Sequence, residues 1–189
     1  MSNCLVCNQK YEPFMSFGKM PIANGFISEK YFSNEYFFDM DVAFCENCKM
    51  FQLVNQPEPQ QMFNDEYAFF SGTSNLMKKH FEEFSNHVIN DYIQESRDPL
   101  VIEIGSNDGI MLKNFKNKGL RHLGIEPSSN VAEVARKEGV NTIVEFFDKS
   151  LAEKIVSEHG QADAFIAANV MCHIPYINSI VEGIKEILK

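Results

Sequence analysis

The sequence has no apolar run long enough to cross a bilayer, and it has no positively charged, apolar signal segment at its N-terminus. These two absences favour a cytoplasmic protein with no membrane partner. Basic residues are also few: residues 1–97 contain 7 basic and 13 acidic side chains, and residues 98–189 contain 10 and 13. With a formal net charge of −9, neither half offers the basic face that nucleic-acid binding needs, so we expect no nucleic-acid partner.

Internal repeats, low-complexity tracts and long flexible linkers are absent as well, yet the character of the chain changes near residue 75. Residues 8–70 are rich in aromatic and turn residues, which is typical of a small irregular lobe. Apolar residues follow helical spacing over 75–94, and alternating strands and helices begin after Asp98-Pro99. We predict a small lobe over 1–74, a connecting helix over 75–97 and an α/β domain over 98–189.

Four of the five cysteines form two Cys-x-x-Cys pairs, Cys4 with Cys7 and Cys45 with Cys48. Two such pairs supply the four soft ligands of a tetrahedral structural Zn²⁺, so the first lobe is predicted to bind zinc. Disulfides are less favoured, because Cys172 would be left unpaired in an oxidising compartment, and inert buried thiols remain an alternative. The 37 residues between the pairs exceed the spacer of a common zinc ribbon, so a folded subdomain is expected there.

The second half alternates four strand patterns with four helix patterns, which predicts a doubly wound α/β sheet. The first and fourth strands should lie side by side, with a ligand crevice at their carboxyl ends. Gly119 and Gly139 stand where left-handed helix terminators are expected, and Ser150 to Glu153 resembles a capping box. The predicted strands are 100–105, 122–127, 142–147 and 162–170, and the predicted helices are 109–118, 130–138, 150–158 and 176–188.

The first of these strands ends in a Gly-x-x-x-Gly turn, Gly105 to Gly109, rather than the Gly-x-Gly-x-x-Gly turn that cradles a dinucleotide pyrophosphate. Glu126 ends the second strand, 21 positions after Gly105, where a carboxylate can accept both hydroxyls of an adenosine ribose. Asp108 makes the turn acidic, which suits a cation and repels a pyrophosphate. S-adenosylmethionine is therefore the predicted cofactor, with a nicotinamide cofactor or an unliganded structural turn as alternatives.

Five segments in this order resemble the sugar-nucleotide C-methyltransferase family: the Cys-x-x-Cys pairs, then 17–26, 67–74, 101–109 and 168–175. The resemblance covers essentially the whole chain. It implies an S-adenosylmethionine-dependent enzyme with an N-terminal zinc-binding lobe, a Rossmann-like class I methyltransferase sheet and a C-terminal α/β lobe. The implied substrate is a nucleotide-linked 4-keto-deoxysugar, methylated at C-3. Its ketone acidifies the C-3 proton, so a base can generate an enolate whose carbon attacks the sulfonium methyl group.

The resemblance also implies roles for individual residues. His173 follows the fourth strand and is the candidate base, with local helix-start hydrogen bonding as its alternative. Tyr67, Ser71 and Ser74 lie in a stretch that folds over the donor pocket in the family, although packing and turn roles are equally open, and Asn24 is more typical of a turn than of a substrate contact. The predicted cofactor-binding residues are Gly105, Ser106, Asn107, Asp108, Gly109, Glu126, Pro127, Phe147, Asn169, Tyr67, Ser71 and Ser74.

The chain departs from the family pattern after its last predicted helix. The family's proposed main base lies in a downstream Tyr-x-Glu-His segment that this sequence does not contain, and only four of the expected seven strands can be counted. We therefore expect an incomplete sheet, weakened donor binding, doubtful turnover by this chain alone and self-association through the open sheet edge. A zinc-dependent binding or scaffold module without turnover, or an NAD-dependent sugar oxidoreductase, are the alternative functions.

Overall fold

The computed structural model describes residues 2–23 and 25–189, so Asn24 lies outside the described residues. The chain divides into two compact units. The first comprises Met1–Phe63 and Ile174–Asn178, and the second comprises Asn64–His173 and Ser179–Lys189. Residues 64–97, which the sequence suggested dividing between the first lobe and a connecting helix, group with the second unit. None of the described helices is long and apolar enough to cross a membrane.

The first unit consists of two small antiparallel sheets around a cysteine-rich core. The core contains Cys4, Tyr11, Ala43 and Cys45, and it holds few large apolar side chains. Such a small core favours a metal as the stabilising centre. The sheets are β1-β2 and β3-β4-β5, built from β1 (Ser2–Asn3), β2 (Lys10–Tyr11), β3 (Pro13–Pro21), β4 (Phe37–Phe44) and β5 (Phe51–Leu53), with a 3-10 turn at Glu29–Asn34 and helix α1 at Pro59–Met62.

The second unit is built on a parallel sheet with strand order β8-β7-β6-β9, which confirms the predicted fold class and the pairing of the first and fourth strands. In this register Ile104 is paired with Ile125 on one side and with Ala167 on the other, so the carboxyl ends of three strands meet. The strands are β6 (Leu100–Ile104), β7 (Arg121–Ile125), β8 (Thr142–Ile143) and β9 (Ala164–Ala167).

Helices pack around this sheet because its central strand β6 is buried on both faces and apolar at every position except Glu103. Every residue of β6 is buried, as expected for a strand inside a parallel sheet. Phe81, Met111, Phe115 and Ala135 belong to the same core cluster. The helices are α2 (Asn75–Val88), α3 (Leu112–Asn117), α4 (Ser129–Lys137), α5 (Lys149–His159) and α6 (Ile177–Ile187), with a π-helical turn at Ile89–Ile93 and 3-10 turns at Ser71–Thr73 and Met171–His173.

Several predicted boundaries need correction. The third strand ends at Ile143 rather than at residue 147, and helix α5 is capped by Asp148, whose side chain accepts a hydrogen bond from the Leu151 amide at 2.8 Å. Ser150 therefore lies inside the helix, and the predicted capping box is wrong. The two predicted helix terminators are confirmed, because Gly119 and Gly139 have φ angles of 73° and 80°.

Candidate functional site

The four cysteines of the two Cys-x-x-Cys pairs converge on one point of the first unit. Their sulfur atoms all lie within 4.8 Å of one another. The sulfurs of Cys4 and Cys48 are 3.5 Å apart, as are those of Cys7 and Cys45. Cys4 and Cys45 are buried and their partners are half-buried, so the cluster is a closed site with four sulfur donors.

The same backbone turn forms each half of this cluster. Asn8 and Lys49 follow the two pairs in left-handed conformations, with φ angles of 58° and 65°. The Asn8 amide donates to the Cys4 carbonyl at 3.0 Å, and the Lys49 amide donates to the Cys45 carbonyl at 2.8 Å. Each turn brings two sulfurs to the same side of the chain, so four ligands meet although 37 residues separate the pairs.

The charges of the cluster also fit a divalent cation. A hydrogen bond from the Asn47 side chain is the main cause that lowers the pKa of Cys7 to about 6. The pKa of Cys48 is raised to about 12: a hydrogen bond from the Met50 backbone favours its thiolate, but burial and the other cysteines outweigh that bond. Four thiolates therefore ionise together only around a positive ion. Four soft donors without an open position fit structural Zn²⁺.

The second site is built on the glycine turn between β6 and α3. Gly105, Asn107 and Gly109 have φ angles of 61°, 50° and 77°. A Cβ atom on Gly105 would lie 2.4 Å from Val170 Cγ2, so the loop after β9 packs directly against the turn. Glycine is required at this position both for the left-handed backbone and for the close approach.

The amide groups of this turn are already occupied by internal hydrogen bonds. A pyrophosphate cradle needs free N–H groups at this point of the fold. In the described structure, four of the turn's five N–H groups donate to protein oxygens, namely Gly105 and Ser106 to the Ile125 carbonyl, Asn107 to Glu126 and Gly109 to the Ser106 carbonyl. The turn is therefore unsuited to a dinucleotide phosphate group.

Three carboxylates surround the turn instead. Glu126 is buried, and its two oxygens accept hydrogen bonds from the backbone amides of Asn107 and Ser128 at 3.0 and 2.8 Å. Burial raises the pKa of Glu126 in spite of these two bonds. Burial raises the pKa of Glu103 well above its usual range, and the charges of Glu126 and Asp108 add to this effect. Such a cluster is stabilised by a cation.

Buried polar atoms without partners mark the same place. Within the described residues, five of them around the turn have no hydrogen-bond partner: Glu103 Oε2, Ser106 Oγ, Asp108 Oδ1, Ser128 Oγ and Asn130 Oδ1. Native proteins rarely leave buried polar atoms unpaired, so these atoms indicate a ligand or ordered water at this site. Glu103 was absent from the predicted site, although it is the only charged residue in the strand Leu100–Ile104. Asn130 gave no signal in the sequence.

A short segment, residues 67–73, lies against the turn, and we call it the strap. The side chain of Asn107 accepts from the Ser71 amide at 2.9 Å and donates to the Phe69 carbonyl at 3.0 Å. Asp108 Oδ2 accepts from the Gly72 amide at 2.7 Å. The strap is thus fixed to two consecutive turn residues by three hydrogen bonds.

The first residue of the strap also approaches the carboxylates. Asn130 Nδ2 donates to the Tyr67 carbonyl at 2.8 Å. Burial raises the pKa of Tyr67, and the nearby charge of Glu126 raises it further. The structure therefore brings Tyr67 and Ser71 to the predicted site. The Ser74 hydroxyl accepts from the Met77 amide at 3.3 Å and caps α2, and its role as a cofactor contact stays a prediction.

The other predicted residues are distributed unevenly around the site. Pro127 directly follows Glu126 and is half-buried. Asn169 is exposed, with a φ angle of 55°, in the loop that packs against Gly105. His173 is exposed at the end of a 3-10 turn, and its amide donates to the Val170 carbonyl at 2.9 Å.

Phe147 lies in the core of the second unit. It is only 4% exposed, and its ring centroid is 5.2 Å from that of Phe165. A Cβ atom on Gly183 would approach the Phe147 ring at 3.1 Å, so α6 also covers this side chain. Its role as a cofactor contact stays a prediction.

Comparison with known proteins agrees with this division of the chain. Residues 4–63 match the family model described as "Putative zinc binding domain", and residues 102–189 match the model described as "Methyltransferase domain". The first match spans all four cysteines of the cluster. The second spans the glycine turn, Glu126 and the described sheet apart from the first two residues of β6.

The chain is also similar to the C-methyltransferase NovU of Streptomyces niveus, with 29% identity over 190 aligned residues. That match includes the whole chain but only 45% of the relative's length. Among solved structures, similarity covers 59% of the chain for the magnesium protoporphyrin IX methyltransferase of Synechocystis PCC 6803, with a TM-score of 0.47, 14% identity and 54% of that protein covered. For Streptomyces venezuelae DesVI it also covers 59%, with a TM-score of 0.44, 13% identity and 48% of that protein covered. The two matched family models therefore identify a zinc-binding domain followed by a methyltransferase domain in this chain.

Proposed function

We propose that this chain is the zinc-binding and cofactor-binding part of an S-adenosylmethionine-dependent C-methyltransferase that acts on a nucleotide-linked 4-keto-deoxysugar. The observation that carries the proposal is the cluster of Glu103, Asp108 and Glu126 around a glycine turn whose amides are largely occupied. This arrangement favours a nucleoside that carries positive charge and lacks phosphates. The chain spans 45% of its curated relative, so substrate and turnover belong to the proposal.

Each carboxylate has a distinct part in holding the cofactor. Bound S-adenosylmethionine supplies an electrophilic methyl group on a sulfonium. Glu126 would accept the ribose hydroxyls, since its oxygens each retain a further lone pair beside the amides of Asn107 and Ser128. Glu103 Oε2 and Asp108 Oδ1 would accept from the cationic amino acid part, which would give these two buried oxygens their missing partners.

An NAD-dependent oxidoreductase is disfavoured by the same geometry. A dinucleotide pyrophosphate would face three carboxylates and a turn with few available amides. The zinc cluster offers no alternative chemistry, because four thiolates leave no open coordination position. We therefore place the reaction at the glycine turn and assign the metal a structural role.

The substrate side of the proposal rests on His173 and on the chemistry of a ketosugar. The C-4 ketone acidifies the C-3 proton, so a base breaks the C–H bond and leaves an enolate. The enolate carbon then forms a C–C bond with the methyl group while the sulfur–methyl bond breaks. His173 is exposed in the loop after β9, where a residue can meet substrate at the carboxyl end of the sheet. The chain is acidic and offers no basic surface to nucleic acid, so we propose no nucleic-acid partner. We also propose a cytoplasmic location.

Calorimetric titration with S-adenosylhomocysteine and S-adenosylmethionine tests the cofactor. We expect binding of both ligands and at least a tenfold loss of affinity in Glu126→Ala, because a buried acceptor of the ribose is removed. Glu153→Gln, an exposed change on α5, should bind like the wild type. Titration with NAD should give no heat of binding. Tight NAD binding, or no binding of the methyl donor at millimolar concentration, would refute the assignment.

Deuterium wash-in tests the proposed sugar chemistry apart from cofactor binding. A nucleotide-linked 4-keto-6-deoxysugar incubated with the protein in heavy water should gain deuterium at C-3, and the gain should fall at least tenfold in His173→Ala. The 4-hydroxy form of the same sugar nucleotide is the control, because its C-3 proton is not acidified. Methyl transfer from a labelled donor is followed by mass spectrometry in parallel. Equal wash-in with and without protein would contradict the proposal.

A further inference from the structure

We propose that Asn107 and Asp108 are positioning residues that latch the strap, residues 67–73, against the glycine turn, so that cofactor entry and release require the latch to open. The proposal rests on the proposed function only in naming S-adenosylmethionine as the ligand. The latch itself is a property of the described side chains, and it can be measured without any ligand.

Asn107 uses both ends of its side-chain amide in the latch. Its oxygen accepts from the Ser71 amide at 2.9 Å, and its nitrogen donates to the Phe69 carbonyl at 3.0 Å. A carboxylate of the same shape could accept from Ser71 but could not donate to Phe69. The left-handed backbone of Asn107, with a φ angle of 50°, is a conformation that asparagine adopts more readily than most residues.

Gly72 provides the third contact, and a side chain at this position would crowd it. Its amide donates to Asp108 Oδ2 at 2.7 Å. A Cβ atom on Gly72 would lie 2.8 Å from the same oxygen, a distance at which the carboxylate or the strap must move. Any side chain at position 72 therefore weakens the bond that its own amide makes.

Asp108 connects the latch to the ligand site. Its Oδ2 holds the strap, while its Oδ1 is buried and has no partner among the described residues. A cationic ligand group bound at Oδ1 would restrict the rotation of the Asp108 side chain and so hold Oδ2 in place for its bond to the Gly72 amide. Ligand binding and strap closure should therefore favour each other.

Outside the latch, the strap accepts a hydrogen bond from Asn130 Nδ2 at the Tyr67 carbonyl, and its residues Ala68, Phe69 and Thr73 are exposed. Its own structure is limited to the short 3-10 turn at Ser71–Thr73, and Phe69 is 54% exposed. Segments with few buried contacts open at low free energy without unfolding the protein. The strap can therefore move as a unit while β6 and the glycine turn stay folded.

Amide hydrogen exchange on the ligand-free chain tests the latch. We expect protection of the Ser71 and Gly72 amides in the wild type and exchange about ten- to a hundredfold faster in Gly72→Ala. Asn107→Asp, which retains the acceptor and loses the donor, should show the same change and serves as the second variant. Ala68→Ser changes an exposed strap residue and should exchange like the wild type. Amides of β6 should be unaffected in all of them.

Stopped-flow binding of S-adenosylhomocysteine tests the link to the cofactor. In Gly72→Ala, both the association and the dissociation rate constants should rise about tenfold or more. In the wild type, bound S-adenosylhomocysteine should further slow the hydrogen exchange of the strap amides. Unprotected Ser71 and Gly72 amides in the wild type, or equal exchange and equal ligand kinetics in wild type and Gly72→Ala, would overturn the proposal. The strap amides could be protected in the wild type and exposed in Gly72→Ala although the chain does not bind S-adenosylhomocysteine. That result would support the latch and refute the cofactor assignment.

Discussion

Glu103 is a carboxylate placed in the middle of an otherwise apolar central strand. It is 3% exposed, its Oε2 has no partner among the described residues, and burial together with the charges of Glu126 and Asp108 raises its pKa well above the usual range. A residue that costs stability at such a position is typical of a functional site. The most informative residue of the proposed cofactor site is therefore one that destabilises the ligand-free fold.

Replacing Glu103 by glutamine should stabilise the ligand-free protein at neutral pH by about 1–3 kcal/mol, because the unfolded chain is favoured by ionisation of Glu103 and gains no such advantage from glutamine. The raised pKa fixes the sign of the pH dependence. Between the ordinary pKa of glutamate and the raised pKa in the folded state, Glu103 is ionised in the unfolded chain but still protonated in the folded one. The free energy of unfolding therefore falls as the pH rises through this range. Urea unfolding across this pH range measures the effect, and the fall should be smaller in Glu103→Gln.

The same substitution should weaken binding of S-adenosylhomocysteine, because a proposed acceptor loses its charge. Glu153→Gln on the surface of α5 is the matched control and should change neither stability nor affinity by more than a few tenths of a kcal/mol. A Glu103→Gln variant that is less stable than the wild type at neutral pH would show that the carboxylate is paired in solution.

At the scale of elements, the alternating pattern after residue 98 was sufficient to predict the sheet, the pairing of its first and fourth strands and the glycine turn. Boundaries were less predictable because they depend on contacts from distant segments. Three of the four residues after Ile143 are apolar, but β8 pairs with β7 over only two residues, so the strand ends early. Asp148 caps α5 in place of Ser150, and nothing in the local sequence distinguishes these two good capping residues.

The junction between the turn after β6 and the loop after β9 gives a prediction at this scale. Gly105→Ala should destabilise the protein by about 2–4 kcal/mol, since alanine is strained at a φ angle of 61° and its Cβ would lie 2.4 Å from Val170 Cγ2. In a background that carries Val170→Ala, the clash is removed and Gly105→Ala should cost less stability. The loss of stability in the double variant should therefore be smaller than the sum of the two single losses by at least about 1 kcal/mol. Urea unfolding of the three variants measures this coupling.

Gly119→Ala is the control for backbone strain alone. Its φ angle is 73° and no atom lies within 4 Å of the added Cβ, so it should cost only about 1–2 kcal/mol. Additive effects of Gly105→Ala and Val170→Ala would contradict the described packing of the two loops.

At the scale of the whole molecule, the sequence predicted a first lobe over 1–74 and a connecting helix over 75–97, whereas residues 64–97 group with the second unit. Helical spacing indicated a helix over 75–94, and it could not reveal that Phe81 and Val88 pack with Val101 and Phe115 in the core of the second unit. The strap contacts were equally inaccessible, because they join side chains of the glycine turn to backbone atoms 36 to 38 positions away. Spacing within a motif is visible in a sequence, whereas such pairings depend on the folded chain.

Metal removal should separate the two units experimentally, because only the first has cysteine ligands in its core. With zinc bound, a thiol reagent should modify the exposed Cys172 and leave the four clustered cysteines unreacted; after chelation at neutral pH all five should react. Amides of β4 and β5 should then lose protection from hydrogen exchange, while those of β6 and β7 keep it. Adding Zn²⁺ should restore the first unit and Mg²⁺ should not, since sulfur donors select the softer ion. Less than one zinc per chain in the purified protein, or unchanged protection of β4 after chelation, would refute a metal-dependent first unit.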